Sequence, residues 1–394
     1  MLNLRAWVAP VVAIVLGCAV AGARAQVSLI NVGHINNTNN NGRAFDVAVS
    51  GNFAYVANYM DGLRVYDISD PFNLVNVGHT NNSAENVASS QGIAVAGNHV
   101  FLANANDGLR IYDVSIPAQP KNIGHTNNST ATRAYAEDVA VVNGLAFLAN
   151  GTDGLRIYDI SNPAFPQNIS HTNNGYASSV AATEGRAYLG NGAVLRIYEI
   201  LPPAIPVQQA FDSVAVNDIT VSGDYAFVAI GSAGLRIYNI TNAASPVIVA
   251  TINTGSGAVG IAISRHYAYV ANWGDGVRVY DISNPAQPLN VGYTPRIGNG
   301  FARRIAVSGS YLYLANSTDG LRSYAILPKL AIQTAAANTL HFSWPATADF
   351  RLQAKPVSGG EWATLPDVPV SAGAFDELIL PQPAAPTLYR LISQ

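Results

Sequence analysis

From Val27 onward the chain is a succession of short apolar runs, each stopped by a turn. The first complete unit shows the pattern. Val47-Ala48-Val49 is followed by the turn residues Ser50-Gly51-Asn52, then by a second run, Phe53 to Ala57, rich in strand formers. Asp61-Gly62 marks the next turn, because glycine accepts the positive φ that such turns require. Leu63-Arg64-Val65-Tyr66 is the third run, ended at Ser69-Asp70-Pro71, where proline cannot donate to a ladder. Asn73 to Thr80 is the fourth. Each unit is predicted to be four short strands, and their apolar character suits a sheet covered on both faces.

The unit recurs. Leu63-Arg64-Val65-Tyr66-Asp67 returns as Leu109-Arg110-Ile111-Tyr112-Asp113, Leu155-Arg156-Ile157-Tyr158-Asp159 and Leu195-Arg196-Ile197-Tyr198-Glu199. It returns again as Leu235-Arg236-Ile237-Tyr238-Asn239, Val277-Arg278-Val279-Tyr280-Asp281 and Leu321-Arg322-Ser323-Tyr324-Ala325. The Arg-x-Tyr pair thus occurs seven times, its arginines 46, 46, 40, 40, 42 and 44 residues apart, a period proper to propeller blades. Asn31-Val32-Gly33-His34 resembles the fourth-strand sequence Asn76-Val77-Gly78-His79, whereas the seventh unit runs out after Leu327 without a fourth strand of its own. The predicted fold is all-β: a seven-bladed β-propeller over residues 26–328, and a small C-terminal β-sandwich over residues 329–394. The N-terminal strand is expected to complete the last blade and so pair two edges that would otherwise stay open.

The Leu-x-Val/Ile-Tyr-Asp core resembles that of the LVIVD-repeat family, predicted β-propellers of bacterial and archaeal surface or secreted proteins, over residues 26 to about 328. The resemblance implies a surface or secreted location and brings no catalytic residues with it. Past Leu327 the segments Leu340-His341-Phe342-Ser343-Trp344-Pro345, Phe350-Arg351-Leu352-Gln353 and Leu388-Tyr389-Arg390-Leu391, with Trp362, resemble a compact fibronectin type III-like module.

Composition narrows the function classes. Apolar residues make up 49% and charged residues 11%, so the chain is globular rather than disordered. A net charge of −3 and three scattered lysines (Lys121, Lys329, Lys355) argue against nucleic acid or an anionic membrane as partner. Arg5, the apolar run Ala6 to Leu16 and Ala23-Arg24-Ala25 before Gln26 read as a signal peptide over residues 1–25, hence a secreted, periplasmic or cell-surface protein. A competing reading takes Val15-Leu16-Gly17-Cys18 as a lipobox-like sequence with a lipid anchor at Cys18. Cys18 is the only cysteine, so no disulfide is expected, and there is no second apolar span. A monomer is expected.

No nucleophile elbow, zincin motif, phosphate loop or EF-hand spacing is present. The repeated Arg64 and Tyr66 and their counterparts are expected to stack and hydrogen-bond between blades, since an asymmetric active site rarely needs seven copies of one side chain. Asp67, Asp113, Asp159 and Asp281 precede turns and should satisfy local backbone donors. His34, His79, His125 and His171 fall on outermost strands, about 15 Å from the axis strand, too far apart for a shared metal. They read as rim residues acting with the Asn-Asn that follows.

One column breaks the repeat. Twelve residues before the end of each second strand stand Asp46, Gly92, Asp138, Ser179, Asp218, Gly260 and Arg304, heading the innermost strands at the channel mouth. Three acids and one arginine there can meet a cation, a sugar or a basic side chain, or merely trapped water. The connections into blades seven, one, two and three are long and carry charges foreign to the repeat: Arg43, Arg133, Glu137, Arg303 and Arg304, with Tyr59 and Tyr135 nearby. The candidate ligand-binding residues are therefore Arg43, Asp46, Tyr59, Arg133, Tyr135, Glu137, Asp138, Asp218, Arg303 and Arg304. The leading expectation is a non-catalytic binding propeller for a protein or glycan, with no catalytic residue, cofactor or metal assigned. Two alternatives stand beside it: a polysaccharide hydrolase or lyase using mouth carboxylates as acid and base, and a surface protein holding calcium on Asp46, Asp138 and Asp218.

Overall fold

The computed structural model describes residues 26–36, 42–81, 89–127, 134–173, 175–191, 193–202, 204–328, 330–335, 339–345, 350–358, 360–372, 375–381, 383 and 387–393. The leader segment with Cys18 lies outside them. No helix occurs among the described residues, and none is long and apolar enough to cross a membrane.

Seven sheets share one build, that of a propeller blade: four antiparallel strands, hydrogen-bonded in order. Sheets one to six span residues 42–80, 92–126, 138–172, 179–212, 218–252 and 260–294. Sheet seven takes its inner three strands from residues 304–328, and its fourth is Val27–Ile35, paired antiparallel to Leu321–Pro328. The first strand of each sheet lies beside the first strands of the sheets before and after it, and that of sheet seven lies beside that of sheet one.

The core sits between the sheets, not within any of them. Tyr55, Leu63 and Val65 of sheet one pack against Ile93, Leu102 and Tyr112 of sheet two. Tyr66 and Val56 of sheet one pack in turn against Tyr313, Ala315 and Leu321 of sheet seven. The repeated tyrosine is the filler of each gap: Tyr66, Tyr112, Tyr158, Tyr198, Tyr238, Tyr280 and Tyr324 are all buried. This explains the near-continuous apolar runs, because both faces of every sheet are covered.

Beyond residue 330 two further sheets enclose a separate core of Leu330, Phe342, Trp344, Phe350, Leu352, Leu378 and Tyr389. A cavity of about 530 Å³ lies where Phe350 approaches the turns at Asn52, Phe72 and Tyr311.

Candidate ligand-binding face

Each repeat turns from its second to its third strand through a segment of the form Asn-x-x-Asp-Gly-x-Arg, kept in five sheets. The side chains lock together locally. In sheet three Asn150 Nδ2 donates to Asp153 Oδ2 at 2.8 Å and Arg156 Nε donates to the same oxygen. His171, on the outer strand, donates Nε2 to the Asp153 carbonyl oxygen at 2.7 Å and lies 3.3 Å from its carboxylate. Asp61 with Arg64 and His79, and Asp107 with Arg110 and His125, repeat the arrangement. In these sheets the repeated arginine therefore pairs within its own sheet rather than across to the next, whereas Arg236 of sheet five reaches Asp212 of sheet four at 3.1 Å; the rim histidines each meet an aspartate. Burial pushes the Asp107 carboxyl up, but hydrogen bonds from His125, Arg110 and Asn104 bring it down to about 2. The Asp107 hydrogen bond raises His125, and Asp61 raises His79 in the same way. Asp67, Asp113, Asp159 and Asp281 each accept the backbone N–H two residues on, at 2.8–2.9 Å.

The seven column residues occupy one register position, paired with Ala57, Ala103, Ala149, Gly190, Ala229, Ala271 and Ala315. Around the mouth the column alternates aspartate with a small residue. Each aspartate uses one oxygen for its own sheet and the other for the next. Asp46 accepts from Val47 N at 2.7 Å and Ile93 N at 3.0 Å. Asp138 accepts from Val139 and Val180, and Asp218 from Ile219 and Ile261. The small residues are imposed by crowding: a Cβ on Gly92 would stand 2.7 Å from the Asp138 Cα, and one on Gly260 2.0 Å from the Arg303 carbonyl oxygen. The alternation ends at the seventh column residue, which is Arg304. Its guanidinium crosses the mouth to pair with Asp218 and comes within 3.8 Å of Asp138. It also donates to the Asn217 carbonyl oxygen at 3.2 Å.

One arginine thus serves three buried acids. Burial raises Asp46 to about 6, opposed by Arg304 and reinforced by Asp138, and burial raises Asp138 as well. Among the described residues no group of three or more His, Cys, Asp or Glu is placed to hold a metal ion.

Arg43, Tyr59 and Arg303 come together elsewhere on the mouth, with three residues outside the sequence-derived set: Phe45, Trp273 and Phe301. Arg303 lies 3.8 Å from the Phe45 ring centre and 5.2 Å from that of Trp273. Trp273 stacks on Phe301 at 4.8 Å, Phe45 meets Tyr59 at 4.8 Å, and Arg43 lies over Tyr59 at 5.7 Å. Backbone geometry makes this cluster unusual. In six sheets the second residue past the alanine paired with the column residue bridges to the lead-in of the next sheet and adopts left-handed backbone. Glycine suits that position at Gly151 and Gly231; Ala105 and Ser317 carry a small side chain there, and Tyr59 at φ 53° and Trp273 at φ 45° carry large ones. Bulky side chains there cost about 1–3 kcal/mol each, a burden found mainly where function requires it. The sequence signal that could have found Trp273 is this one repeat column, read across all units.

Tyr135 and Glu137 stand apart from that cluster, at sheet three. Tyr176 of the next lead-in donates its hydroxyl to Glu137 Oε1 at 2.6 Å, and burial raises the Glu137 carboxyl. Arg133 lies outside the described residues, as do most of the long connections, 37–41, 82–88 and 128–133.

The profile of the LVIVD repeat matches residues 41–81, 88–127, 134–172, 215–254, 255–293 and 299–322, more than half of the chain. The chain belongs to the LVIVD-repeat family. The six matched LVIVD repeats leave out residues 173–214, which nonetheless form sheet four. That repeat has lost the Asn-x-x-Asp-Gly turn, reading Asn191-Gly192-Ala193-Val194, and has Phe211 where others have His. No curated protein matches the chain. Among solved structures it is similar to the computationally designed Ika8 protein, at 10% identity and a TM-score of 0.52 over 75% of this chain and 100% of that one. That likeness concerns fold alone.

Proposed function

We propose that this LVIVD-repeat protein is an exported, non-catalytic binding propeller whose ligand, a glycan or a protein, docks on the face bearing Tyr59, Trp273 and Arg303. In this reading the seven sheets are seven blades of a ring closed by Val27–Ile35, residues 1–25 direct export, and residues 329–394 are a fibronectin type III-like spacer. The single observation that carries it is the placing of two bulky aromatics in left-handed backbone around one arginine, where the repeat elsewhere uses glycine, alanine or serine. Binding rather than catalysis is supported by the state of the mouth acids: both oxygens of Asp46, Asp138 and Asp218 already accept backbone N–H groups. Those bonds give the three acids a structural duty, tying each sheet to the next.

The test is an unbiased array of glycans and extracellular proteins probed with the purified protein and with Trp273→Ala. Partners lost from the array with the variant support the reading. A variant that keeps every partner at parental strength sinks it.

A further inference from the structure

Three arginines and four aromatic rings form one continuous ladder across the mouth: Arg296, Phe301, Trp273, Arg303, Phe45, Tyr59 and Arg43. It begins in the connection after sheet six and ends on sheet one, and each cation lies 3.8–5.7 Å from a ring centre. The repeat's own arginines are neutralised, Arg64 by Asp61, Arg110 by Asp107, Arg156 by Asp153 and Arg322 by Asp319. The ladder arginines differ. Among the described residues none of the three is paired with a carboxylate. Burial and the like charge of Arg43 both work against the Arg303 cation, and its Nε is buried without a hydrogen-bond partner among the described residues. A row of like charges that the protein leaves uncompensated, in a chain of net charge −3, is complementary to an anion from outside.

Shape and chemistry narrow that anion. Guanidinium groups over aromatic rings offer N–H donors for the bidentate grip that suits carboxylates and phosphates, and a carboxylate on a sugar ring joins that charge to an apolar surface. Trp273 stays 37% exposed although Phe301 stacks on its ring and Arg303 lies over it, so apolar surface that a sugar ring can lie against borders the arginines. A row of seven side chains running from the connection after sheet six to sheet one is elongated, and fits an extended chain better than a compact ligand. We infer that the ladder binds a linear polysaccharide bearing a carboxylate on its sugar rings, a polyuronate. This rests on the binding reading above and names its ligand class.

Calorimetric titration of the purified full-length chain with polygalacturonate tests it, with carboxyl-reduced polygalacturonate and poly-glutamate as comparators. Expected are salt-dependent binding of polygalacturonate, no binding of the reduced polymer, and affinity for poly-glutamate at least about tenfold weaker. Arg303→Ala and Trp273→Ala should each weaken polygalacturonate about tenfold, and Arg296→Ala, at the exposed end of the ladder, should weaken it with no change in melting temperature. Equal affinity for the reduced polymer or for poly-glutamate overturns the inference, as does polygalacturonate binding indifferent to Arg303→Ala and Arg296→Ala. Absence of polygalacturonate binding also overturns it. If other array partners are still lost with Trp273→Ala, the binding reading survives that failure.

Discussion

Single residues in this protein divide by whether the repeat multiplies them. A side chain present in nearly every unit has a local duty, and Asp153 with Asn150, Arg156 and His171 shows what it is: the turn aspartate collects three donors and fixes both the turn and the outer strand. Removing the arginine leaves a carboxylate only 4% exposed beside donors too weak to replace it. Arg156→Ala is expected to cost about 1–3 kcal/mol, read as a lower denaturation midpoint with unchanged slope. Ligand affinity should not move, because Arg156 is not in the ladder. Unique residues behave differently. Trp273 and Tyr59 carry large side chains on left-handed backbone, and Arg303 stands without a carboxylate partner among the described residues, so the local duty of the repeat does not account for them.

At the scale of strands and sheets, each sheet is finished by its neighbours. Ser323 of sheet seven donates to the Pro71 carbonyl oxygen of sheet one at 2.5 Å, and a Cβ on Gly33 would lie 2.3 Å from that same oxygen. The Gly-His sequence of the outer strand is therefore a packing requirement: the Pro-containing turn of the next sheet presses on it, as Pro117 presses on Gly78. The N-terminal strand carries this contact and also brings His34 to the Asp319 carbonyl oxygen at 2.7 Å. It further contributes Val27 and Leu29 to the core between sheets six and seven. Deleting Gln26 to Ile35 should strip sheet seven of its outer strand and expose the edge of Leu321–Pro328. A loss on the order of several kcal/mol, or aggregation on size-exclusion chromatography, is the expected result. A deletion mutant that melts like the parent would show that the strand is dispensable.

For the molecule as a whole, the mouth acids and the rim histidines set the pH dependence of stability, and they act in the same direction. Asp46, raised to about 6 by burial, binds more protons in the folded state than in the unfolded chain between pH 4 and 6. Its stabilising contribution is full below its unfolded value and is lost as pH rises through 6. His79 and His125, raised by their aspartates, contribute fully below their unfolded value and lose that contribution as pH rises past it. Asp107, lowered to about 2, and Asp67, Asp113 and Asp159, also lowered, contribute above the ordinary aspartate range and lose it in stronger acid. The melting temperature should therefore peak near pH 5 and fall toward pH 7.5. Asp46→Asn should flatten that fall by an amount on the order of 1–3 kcal/mol. A melting temperature that climbs steadily from pH 5 to 7.5 contradicts the assignment.

The sequence by itself determined the all-β class, the four-strand unit, its turns and the column that heads the first strand of each sheet. These are legible because they are local: a period of 40–46 residues repeats the same short-range choices of apolar run, glycine turn and proline stop. Even the likeness of Asn31–His34 to Asn76–His79, and with it the partner strand of Val27–Ile35, follows from comparing one unit with another. Only the tertiary structure decided which residues meet. Phe45, Trp273 and Arg303 come from three different units, and no repeat pattern couples them; the side-by-side packing of sheets six, seven and one does. The roles of Asp46, Asp138 and Asp218 likewise depend on a backbone N–H of the neighbouring sheet, and that of Arg304 on reaching across the mouth. A carboxylate's partner and a cation's isolation are properties of distance in space, and a sequence records distance only along the chain.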